Sequence, residues 1–149
     1  MIPNTMTYLK TYINPKPGYV VKSALTQQLA ANMRIAPRVL STDNESYIVM
    51  EHLDEMCIAD KWGENLDELE TELADKIRAG IKDILCILHG QGIEYLDVTP
   101  YNFIEKDGRV WVIDFDDVKY IKKGSTTKNA YLKPIIRGEK QLYWNPAFK

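Results

Sequence analysis

The chain has 149 residues, of which 45% are hydrophobic and 27% are charged, and its formal net charge is −2. This length suits one domain with a buried core. The nearly balanced charge gives no bulk attraction to nucleic acid or to an anionic membrane, so we expect neither as a partner. No apolar run reaches the length of a bilayer span. Residues 1–12 lack the order of a signal peptide, so we expect a soluble intracellular protein.

The first part of the chain predicts strands and one helix. Residues 7–23, TYLKTYINPKPGYVVKS, alternate aromatic and aliphatic residues on both sides of NPKPG, which predicts a strand, a turn and a second strand. Residues 23–34 are rich in helix formers, with Ser23 as N-cap, and Pro37 ends this helix. The segments RVLST and SYIVMEHL then predict two strands joined by the polar turn TDNE.

The longest periodic segment predicts an amphipathic helix over NLDELETELADKIRAGIKDILCILHGQG. Its apolar residues repeat at steps of three and four, and acids crowd its first half. His89 and Gly90 close it. A short strand at 93–96 and a hairpin with its turn at 106–108 follow, whereas the last 30 or so residues show no clear pattern. The apolar stripe consists of Leu66, Leu69, Leu73, Ile77, Ile81, Ile84, Leu85 and Leu88.

Three polar residues surround the hairpin: Asp97, Asn102 and Asp114. Asn102 and Asp114 lie on either side of the turn, so hairpin geometry predicts that they come close together, while Asp97 leads into the first strand. Amide and carboxylate oxygens are hard ligands that suit Mg2+. A separate Asp is able to orient an attacking hydroxyl or accept its proton. This division of labour is that of phosphoryl transfer.

These motifs resemble those of the protein-kinase-like superfamily. The family's catalytic loop has Asp and, after four residues, Asn, as in DVTPYN (97–102), and its metal-binding triplet follows, as in DFD (114–116). ILHGQGIEYLD resembles the end of the family's long helix, RIAPRVL the stretch after its regulatory helix, and SYIVMEHLD its hinge strand. The resemblance covers residues 19 to about 120. Compact members include aminoglycoside phosphotransferases, the small kinase of the tRNA threonylcarbamoylation complex, and short kinases of large DNA viruses.

The resemblance implies that the chain binds ATP and Mg2+. It makes Asp97 the residue that orients the acceptor hydroxyl, and Asn102 and Asp114 the ligands of Mg2+. It places Met50 next to the adenine pocket, with Glu51 to Leu53 as the backbone hinge. Lys22, in YVVK, resembles the strand lysine that contacts the phosphates.

The chain departs from the family pattern in its small lobe. Only Gly18 precedes residue 63, so the glycine-rich loop over the phosphates is absent. No acid lies between Lys22 and Asp43, so Gln27 or Gln28 is left to take the place of the helix glutamate. An amide does not supply the charge that orients the lysine.

Further departures concern the large lobe. The catalytic loop reads YLD in place of His-Arg-Asp, and the triplet ends in Asp116 in place of glycine. Because 32 residues follow Asp117, we expect the helical half that docks peptide substrates to be mostly absent. We expect the segment YWNPAF to pack under the catalytic loop, with Trp144 and Phe148 as anchors.

Cys57 and Cys86 have no partner at metal-ligand spacing. We interpret them as buried free thiols in a reducing compartment, and a disulfide is the alternative.

We therefore predict an α+β, minimal two-lobed protein-kinase-like fold. One domain covers residues 1–149, with a reduced small lobe and hinge at about 1–52 and a truncated helical large lobe at 53–149. Two functions stay open: an atypical ATP- and Mg2+-dependent kinase or small phosphotransferase, and a pseudokinase that serves as a binding or structural module. For a virus-encoded chain the location is the host cytoplasm or the virion. A protein partner that completes or activates the small lobe would reconcile both functions, whereas a purely structural protein gives no reason for the Asp–Asn–Asp set.

Overall fold

A computed structural model describes residues 6–148 of the chain. The first five residues, which belong to the segment compared with a signal peptide, and Lys149 lie outside the described residues. The described chain combines helices and strands in an α+β fold, as predicted. None of its helices has both the length and the apolar character that crossing a membrane requires.

Two compact units make up the chain. The first contains the residues up to Glu55 together with Ile113–Asp116, and the second contains Met56–Val112 and the residues from Asp117 onward. A single domain that divides after residue 52 stays a prediction. The elements in chain order are β1 (Thr7–Thr11), α1 (Tyr19–Asn32), β2 (Val39–Thr42), β3 (Tyr47–Glu51), α2 (Ile58–Trp62), α3 (Thr71–Gly90), β4 (Ile93–Tyr95), β5 (Phe103–Lys106), β6 (Arg109–Val112), β7 (Val118–Tyr120) and α4 (Leu132–Ile136).

A three-stranded antiparallel sheet, with strand order β1-β3-β2, forms the first unit. The predicted strands β2 and β3 are confirmed, and the turn TDNE joins them. Asp43 stabilises that turn, because its Oδ1 accepts hydrogen bonds from the backbone N–H groups of Glu45, Ser46 and Tyr47 at 2.9, 2.7 and 3.1 Å. Such a side-chain cap explains why the chain reverses at this polar stretch.

Helix α1 begins four residues earlier than the sequence predicts, so the strand expected around residues 19–22 is wrong. The two valines favour a strand locally. Val20 and Ala24, however, lie at helical spacing and are both buried with Ile48 and Met50 of β3 in one apolar cluster. Burial of this face outweighs the local β preference, since helices are stabilised mainly by tertiary packing. Gly18, at φ 81°, provides the left-handed turn into the helix.

The long helix of the second unit is shorter than the periodic segment. Residues Leu66–Glu68 form a separate 3-10 turn, capped by Asn65, whose Oδ1 accepts the N–H of Asp67. The helix α3 then begins at Thr71 and buries most of the predicted apolar stripe. The stripe residues that are buried are Leu66, Ile77, Ile81, Ile84, Leu85 and Leu88.

The remaining strands of the second unit form two short ladders. The predicted hairpin of β5 and β6 is confirmed, and its turn residues Asp107 and Gly108 both have positive φ, at 54° and 80°. This pair of φ values is typical of a two-residue hairpin turn. The predicted strand near residue 93 is β4, and it pairs with β7, a strand that the sequence analysis did not predict.

Candidate functional site

Lys10 of β1 lies at the centre of an ion-pair cluster in the first unit. Its Nζ is 2.7 Å from Asp116 Oδ2 and 3.4 Å from Asp114 Oδ1. The three side chains are 19–31% exposed, so the cluster is largely removed from water. Ion pairs at this depth are less screened than surface pairs.

Asp116 is held from three directions. Its Oδ1 accepts hydrogen bonds from the Tyr12 hydroxyl at 2.9 Å and from the Ser23 hydroxyl at 2.8 Å, while Lys10 takes Oδ2. Tyr12 directly follows the last residue of β1 and is two residues from Lys10, so the two side chains point to the same side of the extended chain. The buried Ser23 belongs to α1. The carboxylate of Asp116 thus links the DFD triplet to β1 and to α1.

Burial and charge act in opposite directions on these groups. Burial lowers the pKa of Lys10, but the charges of Asp114 and Asp116 outweigh it, and the net pKa lies above its usual range. Burial raises the pKa of Asp114; the ammonium of Lys10 opposes that shift, and the charge of Asp116 adds to it. The ammonium is therefore firmly charged, and its charge favours the ionised form of Asp114.

The lysine that lies on a strand of the first unit is Lys10. The sequence-based choice of Lys22 assumed a strand at residues 19–22, where the structure has the helix α1. Lys22 is an exposed residue of the helix α1. A contact of Lys22 with the phosphates was inferred from its place on a strand, so this inference no longer has its basis. The sequence did contain a signal for Lys10, because the first predicted strand, TYLKT, also carries a lysine.

The two glutamines expected to replace the helix glutamate have other partners. Gln27 is buried, and its Nε2 donates to the Pro37 carbonyl at 3.0 Å and contacts Met50 Sδ at 3.4 Å. Gln28 Oε1 accepts the N–H of Val39 at 3.2 Å. Of the α1 side chains, it is Ser23 that reaches the triplet.

The predicted hinge follows β3. Met50 is buried in the apolar cluster, and Glu51 ends the strand with its N–H donating to the Arg38 carbonyl at 2.9 Å. Leu53 lies two residues further on and is half-buried. An adenine contact at Met50, Glu51 and Leu53 stays a prediction.

Asp97 lies in a loop of the second unit whose backbone is fixed by side-chain amides. The Nδ2 of Asn102 donates to the carbonyl of Asp97 at 2.8 Å. Asn145 Nδ2 donates to the Leu96 carbonyl at 2.8 Å, and the N–H of Asn145 donates to the Val98 carbonyl at 2.9 Å. Three consecutive carbonyls, those of residues 96–98, thus accept hydrogen bonds from two asparagines.

The contact between the C-terminal segment and this loop is confirmed, but its main anchor was missed. Asn145 is 6% exposed and makes both bonds to the loop. Trp144 instead donates its Nε1–H to the Glu64 carbonyl at 2.7 Å. An asparagine between a tryptophan and a proline has no periodic or spacing signal that would have singled it out.

The described residues contain no group of three or more His, Cys, Asp or Glu side chains suited to a metal ion. The predicted metal pair is different in kind, since it consists of one amide and one carboxylate. Because its Nδ2 is committed to the Asp97 carbonyl, Asn102 has its Oδ1 left for a cation, and this oxygen accepts no hydrogen bond from residues 6–148. The donor chemistry fits Mg2+. Joint binding by Asn102 and Asp114, one in each unit, stays a prediction.

Both cysteines are free thiols, as predicted, and both are half-buried. Burial raises the pKa of each thiol, so neither is an activated nucleophile.

Comparison with known proteins supports a distant relationship with a kinase. No known protein-family model matches the chain. The chain is 28% identical over 130 residues to sperm motility kinase 1 of Mus musculus, and the match covers 80% of this chain and 26% of that kinase. It therefore spans about a quarter of the length of this relative. The similarity indicates a kinase-like relationship.

Proposed function

We propose that the chain is an atypical kinase-like phosphotransferase that uses ATP and Mg2+. The observation that carries this proposal is the ion pair of Lys10 with Asp114, 3.4 Å apart. In protein kinases a strand lysine contacts the nucleotide phosphates and the first Asp of the triplet holds Mg2+. Lys10 lies on the strand next to the predicted hinge strand β3, and we assign it the phosphate contact.

Asp116 supports the same assignment, because it compensates for the missing helix glutamate. In kinases that glutamate pairs with the strand lysine. Here α1 has no acid, and the carboxylate that pairs with Lys10 comes from the third position of the triplet. Ser23 of α1 donates to that carboxylate and so keeps the helix connected to the lysine. Two departures from the family pattern thus offset each other.

In the proposed reaction the hydroxyl oxygen of the acceptor attacks the γ-phosphorus of ATP. The bond from that phosphorus to the β–γ bridging oxygen breaks, ADP leaves with the electron pair, and the hydroxyl proton passes to Asp97. Lys10 would bind the phosphates, and Asn102 and Asp114 would hold Mg2+. The metal ion, when bound, neutralises the charge that develops on the phosphates.

A pseudokinase is the second function that we consider, since Lys10 already has two carboxylate partners within 3.4 Å. Phosphates would have to compete with both. In either function we propose a protein partner that completes the small lobe. Its place is the edge of β1 that no strand of residues 6–148 pairs with, where Tyr8 and Leu9 are 52% and 58% exposed. An extended segment of a partner fits such an edge.

Calorimetric titration with a non-hydrolysable ATP analogue, with and without Mg2+, tests the proposal. The wild type should bind the analogue in a Mg2+-dependent manner. Asp114→Asn should lose this dependence, whereas Asp97→Asn should bind like the wild type. Failure to bind at millimolar analogue and Mg2+, alone or with a partner, contradicts both the enzyme and a nucleotide-binding pseudokinase.

Phosphoryl transfer then separates the two functions. Asp97→Asn removes orientation of the hydroxyl and proton acceptance, which contribute a factor of roughly 10²–10⁴ in rate. Loss of transfer with retained binding supports the enzyme. Nucleotide binding by the wild type with no transfer to any acceptor, water included, supports the pseudokinase.

A further inference from the structure

The segment 142–148, which we call the clamp segment, contacts the loop of Asp97 from outside the predicted motifs. We infer that Asn145 is a positioning residue for Asp97 and that the clamp segment fixes the catalytic loop. This inference rests on the proposed function, because it gives Asp97 its role.

Asn145 makes two hydrogen bonds to the loop, one to each of the residues that flank Asp97 in the sequence. Its side chain binds the carbonyl before Asp97 and its backbone N–H binds the carbonyl after it, at 2.8 and 2.9 Å. The loop itself is a tight turn, in which the N–H of Val98 donates to the Leu96 carbonyl at 2.8 Å and that of Thr99 to the Asp97 carbonyl at 3.0 Å. Rotation of the 96–97 peptide plane, which precedes Asp97, or of the 98–99 plane, which follows Val98, would break a bond to Asn145. The direction of the Asp97 side chain is thus tied to a residue 48 positions away.

Asn145 is itself preorganised by its neighbours. Its Oδ1 accepts the N–H of Ala147 at 3.1 Å, and its carbonyl accepts the N–H of Phe148 at 3.1 Å. With Nδ2 on Leu96, both polar atoms of the side chain amide are used. The residue itself is buried, with 6% of its surface exposed. A group fixed in this way holds its target in one geometry rather than following its motion.

Two further contacts attach the clamp segment to the body of the second unit. Trp144 Nε1–H donates to the Glu64 carbonyl at 2.7 Å, and the Tyr131 hydroxyl donates to the Tyr143 carbonyl. Leu142 is buried at the start of the segment. The loop of Asp97 is therefore connected through the clamp segment to Glu64, which precedes α3 in the sequence, and to Tyr131, which follows it.

Loss of this contact should affect the chemical step more than nucleotide binding. Small displacements of a proton acceptor are costly in rate, because the reacting atoms must be in contact and aligned. The phosphate contact at Lys10 does not depend on the loop. We expect Asn145→Ala to lower kcat by 10- to 100-fold and to leave the KM for ATP within about twofold of the wild type.

The experiment compares three variants by hydrogen exchange and by kinetics. Asn145→Ala removes the whole amide, and Asn145→Asp keeps its size and its acceptor for Ala147 while removing the donor to Leu96. Thr42→Ala is the matched control, because Thr42 Oγ1, like the Asn145 amide, donates to one backbone carbonyl, that of Tyr47, and accepts one backbone N–H, that of Asn44, yet belongs to the turn between β2 and β3. A circular dichroism melt verifies that each variant is folded. If Asn145→Ala does not fold, Asn145→Asp is the variant that tests the inference.

The expected result is faster exchange of the amides of Val98 and Thr99 in both Asn145 variants, with a lower kcat and an unchanged KM. The control should match the wild type at these amides. Unchanged exchange in a folded Asn145 variant, or a wild-type kcat, would overturn the inference. Exchange is measured without turnover, so a wild type that transfers no phosphate contradicts the proposed function while the exchange data still decide on the clamp.

Discussion

Lys10 Nζ and Asp116 Oδ2 lie 2.7 Å apart, which makes the third residue of the DFD triplet the nearest carboxylate to the strand lysine. This contact accounts for two unusual features of the sequence at once. The helix α1 carries no acid, and the triplet has an aspartate where the kinase signature has glycine. Without Asp116, Lys10 would have one carboxylate partner, Asp114, where it now has two.

The contact predicts energetic coupling between Lys10 and Asp116. In a double-mutant cycle with Lys10→Met and Asp116→Asn, we expect a coupling free energy of about 1–3 kcal/mol, because the two groups share one partly buried network. Urea unfolding of the four proteins measures it. The exposed pair Glu72–Lys76, at 3.6 Å on α3, is the control and should couple by less than about 0.5 kcal/mol. Equal coupling in the two pairs would mean that the Lys10 cluster contributes no more than a surface ion pair.

The turn at Asp43 should make stability depend on acid pH. Hydrogen bonds from the Ser46 hydroxyl and from three backbone N–H groups hold the pKa of Asp43 well below its usual value of 3.8. The unfolded chain therefore binds this proton at a higher pH than the folded chain does. The contribution to stability is complete above about pH 5 and is lost as the pH falls from there through the lowered pKa.

Asp43→Asn tests this dependence by urea unfolding at pH 7, 5, 4 and 3. The variant should be less stable than the wild type at pH 7, and the difference should shrink as the pH falls. The control is Asp107→Asn, at another exposed turn residue, whose side chain accepts no hydrogen bond from the described residues. A difference between Asp43→Asn and the wild type that stays constant from pH 7 to pH 3 would count against the proposed cap.

Gly80 should be intolerant of even one methyl group. A Cβ at this position of α3 would lie 2.6 Å from Val110 Cγ2 and 3.0 Å from Val110 Cβ on β6. Alanine normally favours a helix, but overpacking of this kind costs about 1–3 kcal/mol. We expect Gly80→Ala to destabilise the wild type and to cost less in a Val110→Ala background, as measured by urea unfolding.

Gly90, near the end of the same helix, is the control for Gly80. No heavy atom lies within 4 Å of a Cβ built there, and its φ is not in the left-handed region. Gly90→Ala should be neutral or stabilising by up to about 1 kcal/mol. If the two alanine variants have the same stability, α3 and β6 do not approach as closely as described.

Periodic and turn signals were enough to predict much of the fold. The stripe of α3, the hairpin of β5 and β6 and the turn between β2 and β3 all depend on interactions between residues close in sequence. The start of α1 could not be predicted in the same way, because the two valines before Lys22 favour a strand locally. Their helical conformation depends on burial of Val20 against Ile48 and Met50, which only the folded sheet provides.

The candidate site shows the same division. Asp97 and Asn102 were found because they are five residues apart in a recognisable motif, and the structure joins them by one hydrogen bond. Lys10 and Asp116 are 106 positions apart, and Asn145 and Leu96 are 49 apart. Pairs so distant leave no local pattern in a single sequence, although the missing acid of α1 and the aspartate at the third position of the triplet were each visible by themselves.

The assignment of Lys10 rather than Lys22 to the nucleotide phosphates is tested most directly by calorimetric titration of Mg2+ and a non-hydrolysable ATP analogue into Lys10→Met, Lys22→Met and the wild type. Lys10→Arg, which keeps the positive charge beside Asp114 and Asp116, serves if Lys10→Met does not fold. We predict that Lys22→Met binds within about twofold of the wild type and that the Lys10 variant binds at least about tenfold more weakly, a loss of 1.4 kcal/mol or more. Wild-type affinity in a folded Lys10 variant, or a tenfold loss in Lys22→Met, would contradict the account.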